Sequence, residues 1–453
     1  MAADGYARLP GMTHRRRLLV IGAGPVGLEA ALHALGLGYE VRVLEGGRVG
    51  ENVASWGHVR MFSPWEMNCS PLGLGVLARQ GVRPFKDGRS APTGREYVAR
   101  YLRPLSSCPP LLGNVLEQTR VIAVSRDATT KQDRPGESAR ADKPFRVLAE
   151  SCGREEIHEA DVVFDVTGTH GLPRALGNGG IAAPGEREAA RFIDHAIPDL
   201  AARRVASRFA GRRILLVGAG HSAATTAVAL AALARRHPRT RVFWAFRATR
   251  APLYRRYPDD PLTRRDALCA EANRLARGRE RQIETCPGSV VDSIARVGSD
   301  HRGRLQAVLR SGGRRRRVTV DRIIANVGYT PDSSIHSELQ VHLCYATCGP
   351  IKLAAALLGE GGGDCLAQVQ PSADLLSNPE PGFYVLGAKS YGRNSTFLIR
   401  AGLEQIRTVF AALVEGPRLD REQARSGGRL ARAGGVSFGA RPADRAPAPQ
   451  ARG

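Results

Sequence analysis

Paired cysteines are missing from this chain. Its eight cysteines, at 69, 108, 152, 269, 286, 344, 348 and 365, include no CxxC, and only Cys344 and Cys348 stand close, as CxxxC. Scattered thiols argue against a disulfide framework and fit a reducing cytoplasm, the expected location. No run of about 18 uninterrupted apolar residues occurs, so no membrane span is expected, and no metal site is read either. Despite a net charge of +23, there is no basic amphipathic helix and no basic stripe interleaved with aromatics. The excess is arginine spread along the chain, and nucleic acid is not an expected partner. The rest of the composition, 43% hydrophobic and 24% charged over 453 residues, is that of a globular protein long enough for two or three domains.

What is present begins at Arg17. An apolar strand, Leu18–Ile21, runs into Gly22-Ala23-Gly24-Pro25-Val26-Gly27 and then an Ala/Leu-rich helix; a second apolar alternation, Val41–Leu44, ends on Glu45. This is the βαβ dinucleotide fingerprint, with Pro25 counted in its cofactor loop. Gly22 permits the tight turn, Gly24 lets backbone amides approach a pyrophosphate, and Gly27 lets helix and strand pack closely. The helix N-terminus offers N–H groups and partial positive charge, and Glu45 accepts from the ribose hydroxyls. Arg15–Arg17 ahead of an apolar run imitates a signal peptide, but that run carries Gly22, Gly24, Pro25, Gly27 and Glu29 and is used up by the fingerprint.

A second fingerprint starts at Arg212. The strand Ile214–Val217 leads into Gly218-Ala219-Gly220-His221-Ser222-Ala223 and the helix Thr225–Arg235. Ala223 replaces the third glycine, a small residue the motif accepts. The following strand, Arg241–Phe246, ends on Arg247 instead of an acid. Arginine there suits a 2′-phosphate, which favours NADPH over NADH.

Residues 1–16 read as a flexible leader. Gly46–Gly75 is too aromatic for a plain solvent loop, Gly94–Leu105 reads as a helix and Thr119–Ser125 as a strand. Arg126–Lys143 is polar and reads as an exposed hairpin tip or insertion. Asp161–Gly168 is an apolar strand ending in a turn at Thr167 and Gly168. Tyr254–Glu284 reads as Arg-rich and helical, Ser289–Leu309 as short strands, and Gly312–Arg317 as a solvated hairpin turn. Val318–Val327 is a strand into Gly328-Tyr329-Thr330-Pro331-Asp332, Gly382–Gly387 another, and Phe397–Val414 a helix. The expected architecture is α/β, with two Rossmann-like dinucleotide-binding domains and the NADP domain (204–326) inserted into an FAD domain (17–203 and 327–415). A disordered tail is expected over 416–453.

The ordered set GxGxxG…Glu, Thr-Gly…Pro, GxGxSA, GYxPD and a late apolar strand ending in glycine resembles the two-dinucleotide-binding flavoproteins over residues 17 to 412. The resemblance implies FAD on the first fingerprint and NADPH on the second, with Thr167, Gly168, Gly328, Gly387 and Gly402 among the cofactor contacts. Within that superfamily, Trp56-Gly-His-Val-Arg-Met-Phe62-Ser-Pro-Trp65-Glu-Met-Asn68 is similar to a segment of the class B flavin monooxygenases. It implies Trp56 beside the cofactor, Asn68 as hydrogen-bond partner of the reduced flavin, Arg60 or His58 as a setter of flavin charge, and Trp56, Phe62 and Trp65 as dry walls. Asp165–Pro173 resembles that branch's linker, and Phe192-Ile-Asp-His195 its segment before the nucleotide domain. Where many relatives carry Gly-Asp, this chain reads Gly387-Ala388-Lys389, and Lys389 is expected on the pyrophosphate or in solvent.

These features imply an FAD-dependent, NADPH-consuming monooxygenase acting through a C4a-hydroperoxyflavin on a small organic substrate, with molecular oxygen as partner. The alternative is a reductase of a disulfide, quinone or protein acceptor, for which Cys69 and the Cys344/Cys348 pair are the candidate thiols. A flavin-binding sensor or scaffold without turnover is the third reading. Substrate identity and oligomeric state are not legible.

Overall fold

Leu18, Leu19, Val20 and Ile21 are all buried, although side chains alternate along a strand. A strand covered on both faces belongs inside a parallel sheet with a layer on each side. The computed structural model describes residues 16–298, 303–359, 364–366 and 371–430, with side-chain surroundings up to residue 414. In it Arg17–Ile21 is the centre of a five-stranded sheet. The order is Phe383–Val385, Val162–Asp165, Arg17–Ile21, Glu40–Leu44 and Val115–Leu116, every pair parallel. Leu18, Val20, Val41, Val43 and Phe164 pack with Leu28 and Ala31 of the helix Pro25–Gly36 and with Ile406, Val409 and Phe410 of the helix Ile399–Leu430. Leu19, Ile21, Leu44, Val163 and Val385 pack instead with Phe145, Val147 and Ala149. Those belong to an antiparallel meander of Thr119–Arg126, Phe145–Ser151 and Arg154–Ala160.

The same plan is then built a second time. Ile283–Cys286, Arg241–Ala245, Arg213–Val217, Arg322–Ala325 and Ile193–Asp194 form another all-parallel sheet. Ile214, Leu216, Val242 and Trp244 meet Ala227, Leu230 and Ala231 of the helix His221–Arg236. Leu215, Val217, Phe243 and Ala245 meet Leu305, Ala307 and Val318 of the meander Val290–Val297, Arg304–Ser311 and Arg314–Val320. Every strand of this sheet lies in sequence between Val162–Asp165 and Phe383–Val385, so the second unit interrupts the first. Its edge strand Ile193–Asp194 comes ahead of residue 204, where the sequence put the boundary. Leu172–Pro173 pairs antiparallel with Tyr329–Thr330, so the two crossings between the units run side by side.

Several expected elements differ. The polar segment Arg126–Lys143 is anchored at its ends: Arg126 and Arg140 are buried against the buried carboxylate of Glu380, at 2.8 and 2.7 Å. Gln340 joins them, donating its backbone N–H to Glu380 and its side-chain amide to the carbonyls of Lys131 and Asp133. The run Tyr254–Glu284 is helical only over Thr263–Ala276, because Pro258 and Pro261 break it before residue 263. The helical stretch of 94–106 contains a π-turn at Val98–Leu102. The last helix continues to Leu430, into the segment expected to be disordered. Residues 1–15 of the expected leader and 431–453 of the expected tail lie outside the described residues.

Candidate active site

The two glycine loops leave the C-terminal ends of the central strands of the two sheets. Gly22 has φ +108°, and a Cβ there would lie 3.0 Å from the Val166 carbonyl oxygen, so glycine is the residue this turn admits. A Cβ on Gly27 would come within 2.0 Å of the Gly22 oxygen. Gly24 is different: nothing lies within 4 Å of its Cβ position, so the chain leaves open space on that side of the helix N-terminus. Pro25 is the first helical residue, where its missing N–H costs nothing. Glu45 closes the other wall, accepting the N–H groups of Ala23 (2.8 Å) and Gly47 (2.9 Å). Burial pushes its pKa up, opposed by those two bonds.

The second loop reproduces this geometry. Gly218 has φ +133°, with a Cβ position 2.2 Å from the Asn326 oxygen, while Gly220 again faces open space. Ala223 is buried, its Cβ 3.5 Å from the Gly218 Cβ position, and Ser222 is exposed beside it. Trp244 Nε1 donates to the Gly218 oxygen (3.0 Å) and Thr226 Oγ1 to Asn326 Oδ1 (2.6 Å), which pins the turn from below. Arg247 is exposed just beyond the strand Arg241–Ala245. Two open glycines at helix N-termini, each ahead of a buried small residue, form cradles that fit the pyrophosphates of two dinucleotides.

Thr167 and Gly168 end the strand beside the first loop. Thr167 donates to Asp165 Oδ1 (2.9 Å), and Gly168 has φ +75°. Lys389 is neither on a pyrophosphate nor in solvent. Its ammonium is buried, 2.6 Å from Asp165 Oδ2 and 3.0 Å from Thr167 Oγ1. The side chain therefore neutralises an acid beneath the first cradle. Gly387 has φ +65° and gives its N–H to Gln405 Oε1 (2.7 Å). Gly402 has a packing role: a Cβ there would meet Val26 at 2.5 Å and Phe397 at 3.1 Å. It lets the last helix close on the first, and its Cβ side points at side chains instead of a cofactor edge.

The two expected catalytic residues are engaged elsewhere. Asn68 is buried, and its amide donates to the carbonyls of Ser63 (3.1 Å) and Pro64 (2.9 Å) while Oδ1 accepts from Ser63 Oγ (2.9 Å). Both N–H donors are thus engaged inside the 61–68 turn. Arg60 is exposed and points outward, bonding the Ala91 carbonyl (2.6 Å) and Glu96 (3.3 Å). Trp56 packs against Gly94, and Trp65 stacks on Phe85 (5.4 Å) beside Tyr97 (5.9 Å). Most of the aromatic segment is core. Phe62 reaches across to the second unit, its ring 5.4 Å from His221 at the start of the second cradle's helix. Desolvation, with Arg265 nearby, holds His221 below the ordinary histidine range. Asn52, which sequence reasoning passed over, is exposed against Thr167–Gly168 and donates to the Thr167 carbonyl (3.2 Å). Only its place four residues ahead of Trp56 could have singled it out.

Gly328 has φ +89°, and its carbonyl accepts the Arg174 N–H (3.0 Å) at the crossing of the two linkers. His195 lies at the same crossing, its carbonyl accepting from Asn326 (3.3 Å) and Tyr329 (3.4 Å). Among the described residues no group of His, Cys, Asp and Glu is placed to hold a metal, and no helix is long and apolar enough to cross a membrane.

No protein-family profile and no curated protein sequence matches the chain. Solved structures do. The bacillithiol disulfide reductase Bdr (YpdA) of Bacillus cereus is 18% identical with a TM-score of 0.63, over 89% of this chain and 99% of that one. The Kutzneria sp. 744 ornithine N-hydroxylase KtzI, with reduced FAD, NADP+ and L-ornithine, is 16% identical with a TM-score of 0.59, over 89% and 100%. The thioredoxin reductase of T. acidophilum is 15% identical with a TM-score of 0.53, over 88% and 100%. The chain thus shares the fold of flavoprotein disulfide reductases and N-hydroxylases alike.

Proposed function

We propose that the chain is an FAD-dependent, NADPH-consuming oxidoreductase, with FAD on the first cradle and NADPH on the second. The observation that carries this reading is the duplicated loop geometry: Gly24 and Gly220 each face open space at a helix N-terminus, on two parallel sheets of the same plan. Backbone N–H groups of 22–27 would hold the FAD pyrophosphate, and Glu45 its ribose. The loop 218–223 would do the same for NADPH, with Arg247 toward the 2′-phosphate. FAD, when bound, supplies the two-electron chemistry that links a nicotinamide hydride to an acceptor.

For the acceptor, molecular oxygen and monooxygenation of a small organic substrate are the favoured reading. The thiol alternative is weakened at Cys69, which is buried with its pKa pushed up by desolvation, the opposite of a reactive cysteine. Phe62 against His221 supplies a ring contact between the units. Protein reduced by NADPH without oxygen should, on mixing with oxygenated buffer, return to the oxidised state and transfer oxygen to an added amine, sulfide or ketone. Rapid reduction of a disulfide or quinone under anaerobic conditions, with no oxygenated product in air, would select the reductase instead.

A further inference from the structure

One helix of the second unit, Thr263–Ala276, supports the second cradle from two of its turns. Asn273 accepts the Tyr254 N–H (3.0 Å) and donates to the Tyr254 carbonyl (2.8 Å), and the Tyr254 hydroxyl donates to the Gly220 carbonyl (3.2 Å). Cys269 brings its Sγ to 3.8 Å from Nε2 of His221, the first residue of the cradle's helix. Arg265 is buried one turn ahead of Cys269, about 6 Å back along the helix axis.

The Arg265 guanidinium divides its fork between two carboxylates. Nε and Nη2 bond Asp260 (2.7 and 2.8 Å), Nη1 and Nη2 bond Asp364 (2.5 and 3.1 Å), and Nη1 also donates to Cys365 Sγ (2.9 Å). The two acids have different origins. Asp260 lies five positions ahead of Arg265 in the second unit, so its bonds stay within that unit. Asp364 lies between the helices Ile351–Gly359 and Ala373–Leu376, whose Leu353, Leu357 and Leu376 pack in the core of the first unit. The Arg265–Asp364 pair therefore joins the units across 99 positions. Its side chains are only 6% and 17% exposed, so solvent screens it less than a surface pair. Phe62 of the first unit also touches His221, so first-unit groups reach this part of the second unit at both the cradle and Arg265.

We propose that Arg265 is a positioning residue for hydride transfer: gripped by Asp364, it fixes the second unit, and the cradle bonded to its helix, in one orientation toward the first. The proposal rests on the cofactor reading above. The cradle loop 218–223 belongs wholly to the second unit, so losing the grip leaves nucleotide affinity in place and changes where the bound nicotinamide is held. Transfer needs donor and acceptor about 3–3.5 Å apart, and a misplacement of about 1 Å costs on the order of 100-fold in rate. Asp260 bonds the same guanidinium without joining the units, which separates orientation from plain support of the helix.

The test uses the full-length holoprotein and its Asp364→Ala, Asp364→Glu and Asp260→Asn variants. Three quantities are read: the rate of anaerobic flavin reduction at saturating NADPH, the Kd for NADP+ by calorimetry, and the rate at which iodoacetamide modifies Cys365, mapped by mass spectrometry. Asp364→Ala should slow reduction about tenfold or more while its Kd stays within about twofold of wild type. Cys365, released from the Arg265 fork, should be modified about tenfold faster. Asp364→Glu should restore both rates, and Asp260→Asn should leave both as in wild type. Reduction of Asp364→Ala at the wild-type rate, equal slowing by Asp260→Asn, or a loss carried by the Kd in place of the rate would overturn the proposal. A wild-type protein that holds no flavin, or whose flavin NADPH does not reduce, fails the oxidoreductase reading itself, and Cys365 modification then judges the grip between the units separately.

Discussion

Gly24 and Gly27 sit three residues apart in one loop, yet they should fail in different ways. A methyl on Gly27 would lie 2.0 Å from the Gly22 oxygen, 3.1 Å from its carbon and 3.2 Å from a Val166 methyl. Restoring ordinary contact requires the helix Pro25–Gly36 to retreat by more than about 1 Å from the strand. Overpacking of this kind costs about 1–3 kcal/mol, from which alanine's better helix propensity recovers about 1 kcal/mol. The contact is with backbone on both sides and cannot be relieved by a rotamer change, so the upper end applies. Gly24 has φ −82° and ψ −172°, extended backbone open to any residue, and nothing crowds its Cβ. Gly24→Val should therefore leave the flavin-free protein as stable as wild type, with a change below about 0.5 kcal/mol, and abolish flavin retention. Gly27→Ala should lose flavin and also lower the Tm of the flavin-free form by several degrees, at about 2–4 °C per kcal/mol. The assay is thermal unfolding of stripped protein beside flavin content as purified; stripping matters because a ligand stabilises by mass action. A yellow, stoichiometrically loaded Gly24→Val protein would refute the reasoning.

Other expectations follow from buried charges and thiols. Lys389→Met should cost about 3–5 kcal/mol, because it strands the Asp165 carboxylate in the core; adding Asp165→Asn should recover part, and a single-variant loss under 1 kcal/mol on denaturant titration would contradict the assignment. Burial raises the Glu380 pKa, but Arg140, Arg126 and the Gln340 N–H overcome it and hold the group below the ordinary carboxylate range. The unfolded chain then takes up this proton at a higher pH than the folded one, so the stabilisation is complete at neutral pH and fades as pH falls below about 4.5. The stability gap between wild type and Glu380→Gln should accordingly shrink on acidification, and a widening gap would refute the cluster. Desolvation raises the Cys69 thiol, so at pH 8 iodoacetamide should label exposed Cys152 and spare Cys69; early labelling of Cys69 would revive a thiol relay.

Both cradles were legible in the sequence because a glycine loop is local. The turn, the helix N-terminus and the small residue that lets helix and strand touch all lie within about one helical turn of each other. The strands flanking them were legible for the same reason, as short apolar runs. What escaped was set by contacts distant in sequence. Lys389 meets Asp165 across 224 positions and Arg140 meets Glu380 across 240, and nothing local separates such a pair from solvated charges in an arginine-rich chain. Asn68 sits in the expected segment, and the bonds of its amide to the Ser63 and Pro64 carbonyls, which close that segment's own turn, could not be read from the residue type alone.

The central claim is that one chain carries two nucleotides and moves electrons from one to the other. It is tested most directly by releasing and identifying the chromophore of the purified protein, then titrating the holoprotein with NADPH under anaerobic conditions. The account predicts FAD near one equivalent per chain and its bleaching by one equivalent of NADPH, with NADH less effective. A colourless protein that neither binds added FAD nor oxidises NADPH would contradict it.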